Sequence, residues 1–475
     1  MGWELEDVEK PFVAQLQGLD WQHTEGSLDD PAITGRNSFS EVIQCAALAE
    51  RLRAINLRDG QPWLDDQRIA EALAAITRLG AGKLMEANQT ATELLLKGIT
   101  VDGLPGWEGG RGQTLQYIDW DTPANNHFSV INQFRVDCPP GYNSGKKFIV
   151  PDLVLLVNGI PLVVVECKSP SIPEPLAEAV DQLRRYSNQR KAAFEVEENE
   201  GNESLFASVQ LLIASSYDEA RVGCIGAGFA HFSQWKTVVG PDGNGSEQAV
   251  AEQLGKTKLS EQERLVAGML TPAHLLDLIR HFMLFMQVGG RTIKTVCRYQ
   301  QYRAVNRTVT RMKHGQTRLE HGESDQRGGI VWHTQGSGKS LTMVFLVRKM
   351  RTDTQLRRFK IIVVTDRKDL QSQLAATATL SGELPEVASN IEGVKALARR
   401  QGPGLVFATI QKYRIPEQDE DAATPGSAQI APPLKAAEKP ALYQVSKPFE
   451  VLNHDESILV PVSYTHLTLP TSYSV

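Results

Sequence analysis

The chain has 475 residues, of which 41% are hydrophobic and 22% charged, and its formal net charge is -6. This length exceeds what one hydrophobic core organises, so two or three globular domains are expected, and the composition excludes a disordered or fibrous chain. No run of about 18 apolar residues occurs, and the acidic N-terminus lacks a secretory signal, so we expect a cytoplasmic protein without a membrane span.

The N-terminal half is expected to form an α/β domain. Residues 1–100 are mainly amphipathic helices, because apolar residues recur at helical spacing in 41–55 and 67–79. Short runs that are rich in β-branched residues and bounded by turn residues then predict strands. These strands are 128–131, 148–150, 153–157 and 162–165, followed by a helix at 175–189 and a strand at 209–215.

The C-terminal half shows a different pattern. A helix at 272–287 is expected to lead into a region in which strands and helices alternate, and such alternation predicts a parallel sheet covered by helices on both faces. We therefore expect domains at 1–260 and 261–460, with 416–440, where Pro, Ala, Glu and Asp dominate, as a mobile insertion. The alternating elements are strands at 329–332, 360–365 and 405–409 and helices at 340–350 and 369–376.

A candidate metal site lies in the first of these domains. Pro151-Asp152 is followed by Glu166-Cys167-Lys168, which is a PD…ExK arrangement. In a strand, residues i and i+2 share a face, so Glu166 and Lys168 point the same way. Magnesium takes oxygen ligands, and in such a site it stabilises charge on a phosphate and lowers the pKa of a bound water. The pattern predicts Asp152 and Glu166 as Mg²⁺ ligands and Lys168 as the residue that positions the attacking water.

A purely structural interpretation of these residues stays open. The pattern is short, and Asp152 could cap a strand while Glu166 and Lys168 lie at a solvated strand end. The preceding apolar run favours function, since charged groups beside it are costly unless they are used. Gln182 and Tyr186, at i and i+4 on one helix face, match the QxxxY element that accompanies this site in bacterial recombination exonucleases. They are candidates for contact with DNA or with the site, and ordinary helix packing is the alternative.

The spacing between the carboxylates carries a geometric prediction. Asn158-Gly159 favours a two-residue hairpin loop, and a regular ladder from that loop would pair Asp152 with Val165. That register would point Asp152 away from Glu166, because one step along a strand reverses the face. A shared metal ion requires the opposite. We therefore predict either a loop of three residues or a β-bulge between the two carboxylates.

A second constellation predicts ATP binding. A strand ending at Trp332 enters a glycine-containing loop that opens a helix, which is the context of a P-loop. The loop backbone is expected to hold phosphates, Lys339 to contact the β- and γ-phosphates, and Ser340 to bind Mg²⁺. His333 replaces the usual first glycine, and a plain glycine turn before a helix is the alternative. The predicted nucleotide-binding residues are Thr334, Gln335, Gly336, Ser337, Gly338, Lys339 and Ser340.

Several longer strings resemble the R subunits of type I restriction enzymes. These strings are 158–168, 332–343, 363–370 and 408–413. The segment 298–305 resembles the adenine-reading element of superfamily-two helicases, with Gln301 as the adenine contact and a plain amphipathic helix as the alternative. The resemblance runs from roughly residue 5 to residue 460. It implies an α/β protein in which a PD-(D/E)xK nuclease domain precedes an incomplete RecA-like helicase domain with a parallel sheet.

One part of the family pattern is missing. The family has an apolar strand that ends in a DEAH-type acid pair, whereas here 458–462 begin the strand and 463–472 follow. The pair Asp455-Glu456 precedes the strand and cannot occupy its magnesium-facing end. Residues 461–475 resemble translated sequencing-adapter read-through, so we expect a truncated gene product with an artefactual tail and without full ATPase activity.

The resemblance implies a function in restriction. The family cuts double-stranded DNA with Mg²⁺, couples the cut to ATP-driven DNA translocation, and acts with modification (M) and specificity (S) subunits. A nuclease-inactive DNA-binding or assembly module is a second interpretation. A type III-like restriction helicase is disfavoured, because the nuclease motif is N-terminal here.

Overall fold

The computed structural model describes residues 4–79, 83–104, 106, 111–140, 147–190, 200–334, 337–365, 371, 375, 378–379, 382–388, 390–409, 452–453 and 455–463. Helices and mixed sheets alternate along these residues, which confirms the predicted α/β class. No helix among them combines the length and apolarity needed to cross a membrane. The chain divides into two compact units, one of Met1–Gln316, Asp325–His333 and Ser337–Leu346, the other of Thr317–Ser324, Thr334–Gly336 and Val347–Val475.

The bounds of the elements follow the chain order. The helices are α1 (Lys10–Gln17), α2 (Cys45–Ile55), α3 (Asp66–Thr77), α4 (Leu84–Lys97), α5 (Pro175–Tyr186), α6 (Glu203–Phe206), α7 (Glu247–Gln253), α8 (Glu261–Leu265), α9 (Pro272–His281), α10 (Tyr299–His314), α11 (Arg318–His321), α12 (Lys339–Thr352) and α13 (Ile391–Arg399). The strands are β1 (Gln22–Glu25), β2 (Leu57–Arg58), β3 (Gln61–Pro62), β4 (Ile99–Val101), β5 (Gln113–Leu115), β6 (Phe128–Asn132), β7 (Val136–Asp137), β8 (Phe148–Ile149), β9 (Leu153–Val157), β10 (Ile160–Cys167), β11 (Leu211–Ser215), β12 (Ala220–Gly223), β13 (Met283–Val288), β14 (Arg291–Val296), β15 (Lys360–Thr365), β16 (Glu386–Val387), β17 (Gly404–Thr409), β18 (Ile458–Leu459) and β19 (Val462–Ser463).

A six-stranded sheet organises the first unit, in the order β1-β6-β9-β10-β11-β12. The pairs β1–β6 and β10–β11 are parallel and the others antiparallel. Every residue of β9 and β10 is buried, which explains why these strands are continuous apolar runs rather than alternating ones. Helix α5 packs its apolar face, including Leu176, Val180 and Leu183, into the same core.

The hairpin of β9 and β10 contains the predicted irregularity. Asn158 and Gly159 both have positive φ, 53° and 81°, as a two-residue turn of this kind requires. The ladder then shifts by one residue at Leu162, which is the extra residue of a β-bulge. The bulge alternative is confirmed, and continuing the shifted register places Asp152 opposite Glu166. The pairs are Val157–Ile160 and Leu156–Pro161 before the shift, and Leu155–Val163, Val154–Val164 and Leu153–Val165 after it.

Two predicted elements of the first unit are wrong. The helix predicted at 272–287 ends at His281, and Met283–Val288 instead pairs with Arg291–Val296 in an antiparallel hairpin. Gly289 and Gly290, both with positive φ, close this hairpin. The backbone hydrogen bonds between the two strands outweigh the helical spacing of the apolar residues in 283–287. The strand predicted at 329–332 is irregular, and the Trp332 side chain is 71% exposed. A strand needs a partner for its backbone groups, and no described strand pairs with this segment.

The second unit contains the predicted parallel sheet. Strand β15 pairs in parallel with β17 on one side and with β18 and β19 on the other, and β16 pairs in parallel with β17. Ala398 of α13 packs with Ile362 and Val406 of this sheet. Asp455-Glu456 lies before β18 and therefore at its amino end, as the sequence indicated. The predicted insertion at 416–440 lies outside the described residues, as does most of the helix predicted at 369–376.

A buried lysine attaches the β13–β14 hairpin to the core of the first unit. Lys294 Nζ donates to Asn88 Oδ1 at 2.7 Å, to Gln210 Oε1 at 2.6 Å and to Thr92 Oγ1 at 3.4 Å. Burial lowers the pKa of Lys294 to about 7. The acceptors belong to α4 and to the start of β11, so one side chain joins three elements.

We expect Lys294→Met to lower the free energy of unfolding by about 2 kcal/mol, because the buried Asn88 Oδ1 loses its donor and Gln210 Oε1 loses the shorter of its two hydrogen bonds. Urea unfolding at about pH 9, where the lysine is neutral, measures this change. Arg291→Met, at an exposed position of the same strand, is the matched control and should change stability by less than about 0.5 kcal/mol. Equal stability of Lys294→Met and the parent would contradict the assigned role.

The same residue predicts a pH dependence. The folded-state pKa of Lys294 lies below its ordinary value of 10.5, so the unfolded chain binds more protons between these two values. Stability should therefore rise as the pH increases from about 7 towards 10, and the Lys294 contribution should be lost as the pH falls through 7. The difference between the parent and Lys294→Met, measured over this range, isolates the contribution of this group.

Candidate active site

The PD…ExK residues converge at one edge of the central hairpin. Asp152 immediately precedes β9, and its Oδ2 accepts a hydrogen bond of 2.7 Å from the backbone N–H of Cys167. Lys168 Nζ donates to Glu166 Oε1 at 2.8 Å. The Glu166 side chain is fully buried and Lys168 is nearly so. Glu166 and Lys168 therefore do not form the solvated strand end considered as an alternative, whereas Asp152 does bond the last backbone N–H of β10.

Burial and mutual repulsion shape the charges of this group. Burial raises the pKa of Asp152 to about 6. Burial also raises the pKa of Glu166 well above its ordinary value, and the neighbouring Asp152 carboxylate adds to this effect. For Lys168, burial opposes the charged form, but Glu166 outweighs it and the pKa is raised. Two crowded carboxylates with one ammonium leave a site that a further cation would stabilise.

The residues fit a magnesium ion. Glu166 Oε2 is buried and has no hydrogen-bond partner, although buried carboxylate oxygens are normally satisfied. Magnesium is commonly bound through one or two carboxylates with water completing its shell. Among the described residues no group of three or more His, Cys, Asp or Glu side chains is arranged to hold a metal. Asp152 and Glu166 therefore suit an ion that keeps water in part of its shell.

Two carboxylates that the sequence analysis missed come from the N-terminus. Glu4 Oε1 accepts from Lys168 Nζ at 3.4 Å. Glu9 is buried and accepts from Asn132 Nδ2 at 3.1 Å, and burial together with the nearby Asp152 charge raises its pKa to about 7. A π-helical turn, Leu5–Glu9, leads into α1, and such turns often occur at functional sites. In the sequence, the signal that could have indicated this contribution is Glu9, a carboxylate among the apolar residues of the first helical segment.

The QxxxY pair lies beside this group. Gln182 Nε2 donates to the Tyr186 hydroxyl at 2.6 Å, and the hydroxyl donates to Val150 O at 3.1 Å. Val150 is two residues before Asp152. Burial and, next, the Glu166 carboxylate raise the pKa of Tyr186. The pair therefore fixes the backbone that presents Asp152, with Tyr186 buried against the core.

The predicted nucleotide loop has a partly described geometry. Helix α12 begins at Lys339, and Gly338 before it has a φ of 81°. Gln301 Nε2 donates to Gly338 O at 2.9 Å, and a Cβ at Gly338 would lie only 2.7 Å from that amide nitrogen. Gln301 Oε1 accepts from Arg298 N, so both ends of the amide are engaged. The structure thus brings Gln301 to the loop, and the positive φ of Gly338 favours glycine at the point of contact.

The other residues of the predicted nucleotide loop are described only in part. Lys339 Nζ donates to His333 O at 3.3 Å, and Ser340 is the second residue of α12. Thr334 and Ser337 are described, while Gln335 and Gly336 between them lie outside the described residues. A helix that opens at the predicted lysine, behind a glycine with positive φ, fits a phosphate-binding loop.

Comparison with known proteins identifies two regions. Residues 4–230 match the family described as type I restriction enzyme R protein N terminus, and residues 300–469 match the SWI2/SNF2 ATPase family. The type I restriction enzyme HindI endonuclease subunit of Haemophilus influenzae is 32% identical over 422 residues, which is 87% of this chain and 37% of that protein. A Methanocaldococcus jannaschii protein with a corresponding name is 26% identical over 426 residues, 87% of this chain and 38% of the relative.

The chain thus spans less than two fifths of the length of these relatives. The two matched regions occur in the order that the sequence resemblance implied, nuclease-related first and ATPase-related second. The chain belongs to the family of type I restriction enzyme R subunits.

Proposed function

We propose that this chain carries the DNA-cutting centre of a type I restriction enzyme, a Mg²⁺-dependent endonuclease coupled to ATP-driven translocation of double-stranded DNA. The observation that carries the proposal is the Asp152–Glu166–Lys168 group, in which Glu166 and Lys168 are buried and Glu166 Oε2 has no hydrogen-bond partner. We assign this group to a PD-(D/E)xK domain at 1–260. We assign 261–460 to a RecA-like domain of the superfamily-two helicases.

Each residue of the nuclease group has a distinct role in the proposal. Asp152 and Glu166 hold the Mg²⁺ ion, which supplies stabilisation of charge on the scissile phosphate and a more acidic bound water. Lys168, held by Glu166 at 2.8 Å, orients the attacking water from the same strand face. Tyr186 and Gln182 are positioning residues, since they hold the carbonyl of Val150 near Asp152.

The nucleotide loop supplies the second part of the proposal. Lys339 contacts the β- and γ-phosphates of ATP, and Ser340 contacts the accompanying Mg²⁺. The loop that ends at Gly338, which has a positive φ and directly precedes α12, would hold the phosphates. Gln301 contacts adenine or holds the loop against α10 through Gly338 O. ATP and Mg²⁺ are accordingly the proposed cofactors.

The proposed partners follow from the family. A type I restriction enzyme combines the R subunit with modification and specificity subunits, and the relatives of this chain are named as subunits of such enzymes. We therefore propose double-stranded DNA as substrate, M and S subunits as protein partners, and the cytoplasm as the location.

A plasmid assay tests the proposed function. The purified chain, alone and mixed with its M and S subunits, is incubated with supercoiled DNA in Mg²⁺ or in EDTA. We expect nicked or linear DNA only with Mg²⁺, because the carboxylates need the cation to engage a phosphate. DNA binding without cutting in any metal and any mixture would instead favour the nuclease-inactive assembly module.

A further inference from the structure

Helix α10 is strongly cationic. It carries Arg303, Arg307, Arg311 and Lys313 and no acidic residue, within a protein of net charge -6. The three arginines follow one another at intervals of four residues and so lie along one face, about 6 Å apart. Arg307 and Arg311 are exposed. The helix therefore presents a row of positive charge on a protein whose overall charge is negative.

An open cleft lies along this row. It has a volume of about 570 Å³ and is lined by Gly243, Arg307, Thr310, Arg311 and His314, among others. The turn at 240–244 forms the facing wall, and Thr310 Oγ1 donates to Asp242 O at 2.8 Å. Gly243 has a φ of 79°, and a Cβ there would lie 3.1 Å from Thr310 Oγ1. The wall approaches the helix closely because this residue is glycine.

The acidic groups near the cleft are already engaged. The Asp242 carboxylate accepts from the backbone N–H and the side-chain amide of Asn244. The Asp325 carboxylate pairs with Arg327 at 2.7 Å. Arg311 Nε donates to Gly328 O at 2.6 Å. Within the described part of the chain neither Arg307 nor Arg311 pairs with a carboxylate. The guanidinium groups of Arg307 and Arg311 are therefore not held by these two carboxylates.

We propose that this cleft binds the sugar-phosphate backbone of double-stranded DNA. The choice of DNA rests on the proposed function, whereas the preference for a polyanion follows from the cleft itself. Duplex DNA carries about one negative charge per 1.7 Å of its axis, so two or more phosphates can meet arginines spaced by one helical turn. Guanidinium groups bind phosphate oxygens through two parallel hydrogen bonds. Contacts of this kind hold and orient DNA without reading its sequence.

Binding without cutting tests the proposal. Fluorescence anisotropy of a labelled duplex in EDTA compares the parent with Arg307→Gln/Arg311→Gln. We expect the double variant to bind about tenfold more weakly, and the slope of log affinity against log salt to fall by about 1.8, which corresponds to two lost phosphate contacts. Unchanged affinity and slope would overturn the proposal, as would a parent chain that binds no DNA.

A matched control separates the cleft from overall charge. Arg78→Gln/Lys83→Gln removes two positive charges at exposed positions of the same unit and should leave the affinity within about twofold. An equal loss in this control would show that net charge rather than the cleft governs binding, and would overturn the proposal. Unchanged melting temperatures would show that both double variants are folded.

Two further comparisons test whether the cleft binds DNA or a nucleotide, and separate the cleft proposal from the nuclease proposal. A fluorescent ATP analogue should bind the Arg307→Gln/Arg311→Gln variant as it binds the parent. Loss of ATP binding with intact DNA binding would assign the cleft to a nucleotide and overturn the proposal. If the parent binds DNA through the cleft but never cuts, the nuclease assignment fails while the cleft assignment stands.

Discussion

Glu166→Gln, Asp152→Asn and Lys168→Ala should each slow Mg²⁺-dependent DNA cutting by about a hundredfold or more. The first two changes keep the size of the side chain but remove a negative charge that a cation needs. The third removes the ammonium that lies 2.8 Å from Glu166 Oε1. The rate at which supercoiled plasmid disappears at saturating Mg²⁺ measures the effect. A variant that cuts at the parental rate would refute the role assigned to that residue.

Stability distinguishes a functional role from a structural one at these positions. Glu166 is fully buried, and its carboxylate is disfavoured by burial and by Asp152. A neutral amide removes this cost, and Asp152 and Glu4 still lie near the Lys168 ammonium that Glu166 no longer balances, so the melting temperature of Glu166→Gln should stay within a few degrees of that of the parent. Glu178→Gln, at an exposed position of α5, is the matched control and should cut at the parental rate. A Glu166→Gln protein that is both inactive and unfolded would indicate a structural role.

Lys339→Ala should weaken ATP binding by at least about tenfold, because a charge-assisted bond to phosphate contributes about 1.5–3 kcal/mol. Lys339 opens α12 directly behind Gly338, where a phosphate-binding loop places its lysine. Titration with a fluorescent ATP analogue measures the change.

The control for this variant is Lys236→Ala, which removes an exposed lysine of the first unit. It should bind the analogue as the parent does. Parental affinity in Lys339→Ala would show that the loop does not engage nucleotide, and would leave the nuclease proposal unaffected.

Local spacing was sufficient for several features of the site. The alternation of a strand places Glu166 and Lys168 on one face, and the structure joins them by a hydrogen bond. The interval of four residues places Gln182 beside Tyr186, and these side chains are also bonded. Asn158-Gly159 forms a turn with two positive φ angles, which these residue types tolerate. In each case the interacting groups lie close together in the chain.

Other features depended on contacts between distant segments. The strand predicted at 329–332 finds no partner, and 283–288 pair with 291–296 instead of continuing a helix. Glu9 reaches the nuclease group from the N-terminus, more than a hundred residues before Asp152. A local sequence pattern indicates only the secondary-structure propensity of its own residues. The pairing of strands and the formation of a buried cluster depend on which distant segments come into contact.

The sequence by itself determined which groups are present, namely two carboxylates, one lysine and a glycine-containing loop, and the strand and helix periods on which they lie. Only the tertiary structure decided how those groups meet. The sequence required either a longer loop or a bulge, and the structure has the bulge at Leu162. It also set the turn at 240–244 against the arginines of α10. The physical reason is that register and packing are chosen by the free energy of the whole buried interior, which no short segment contains.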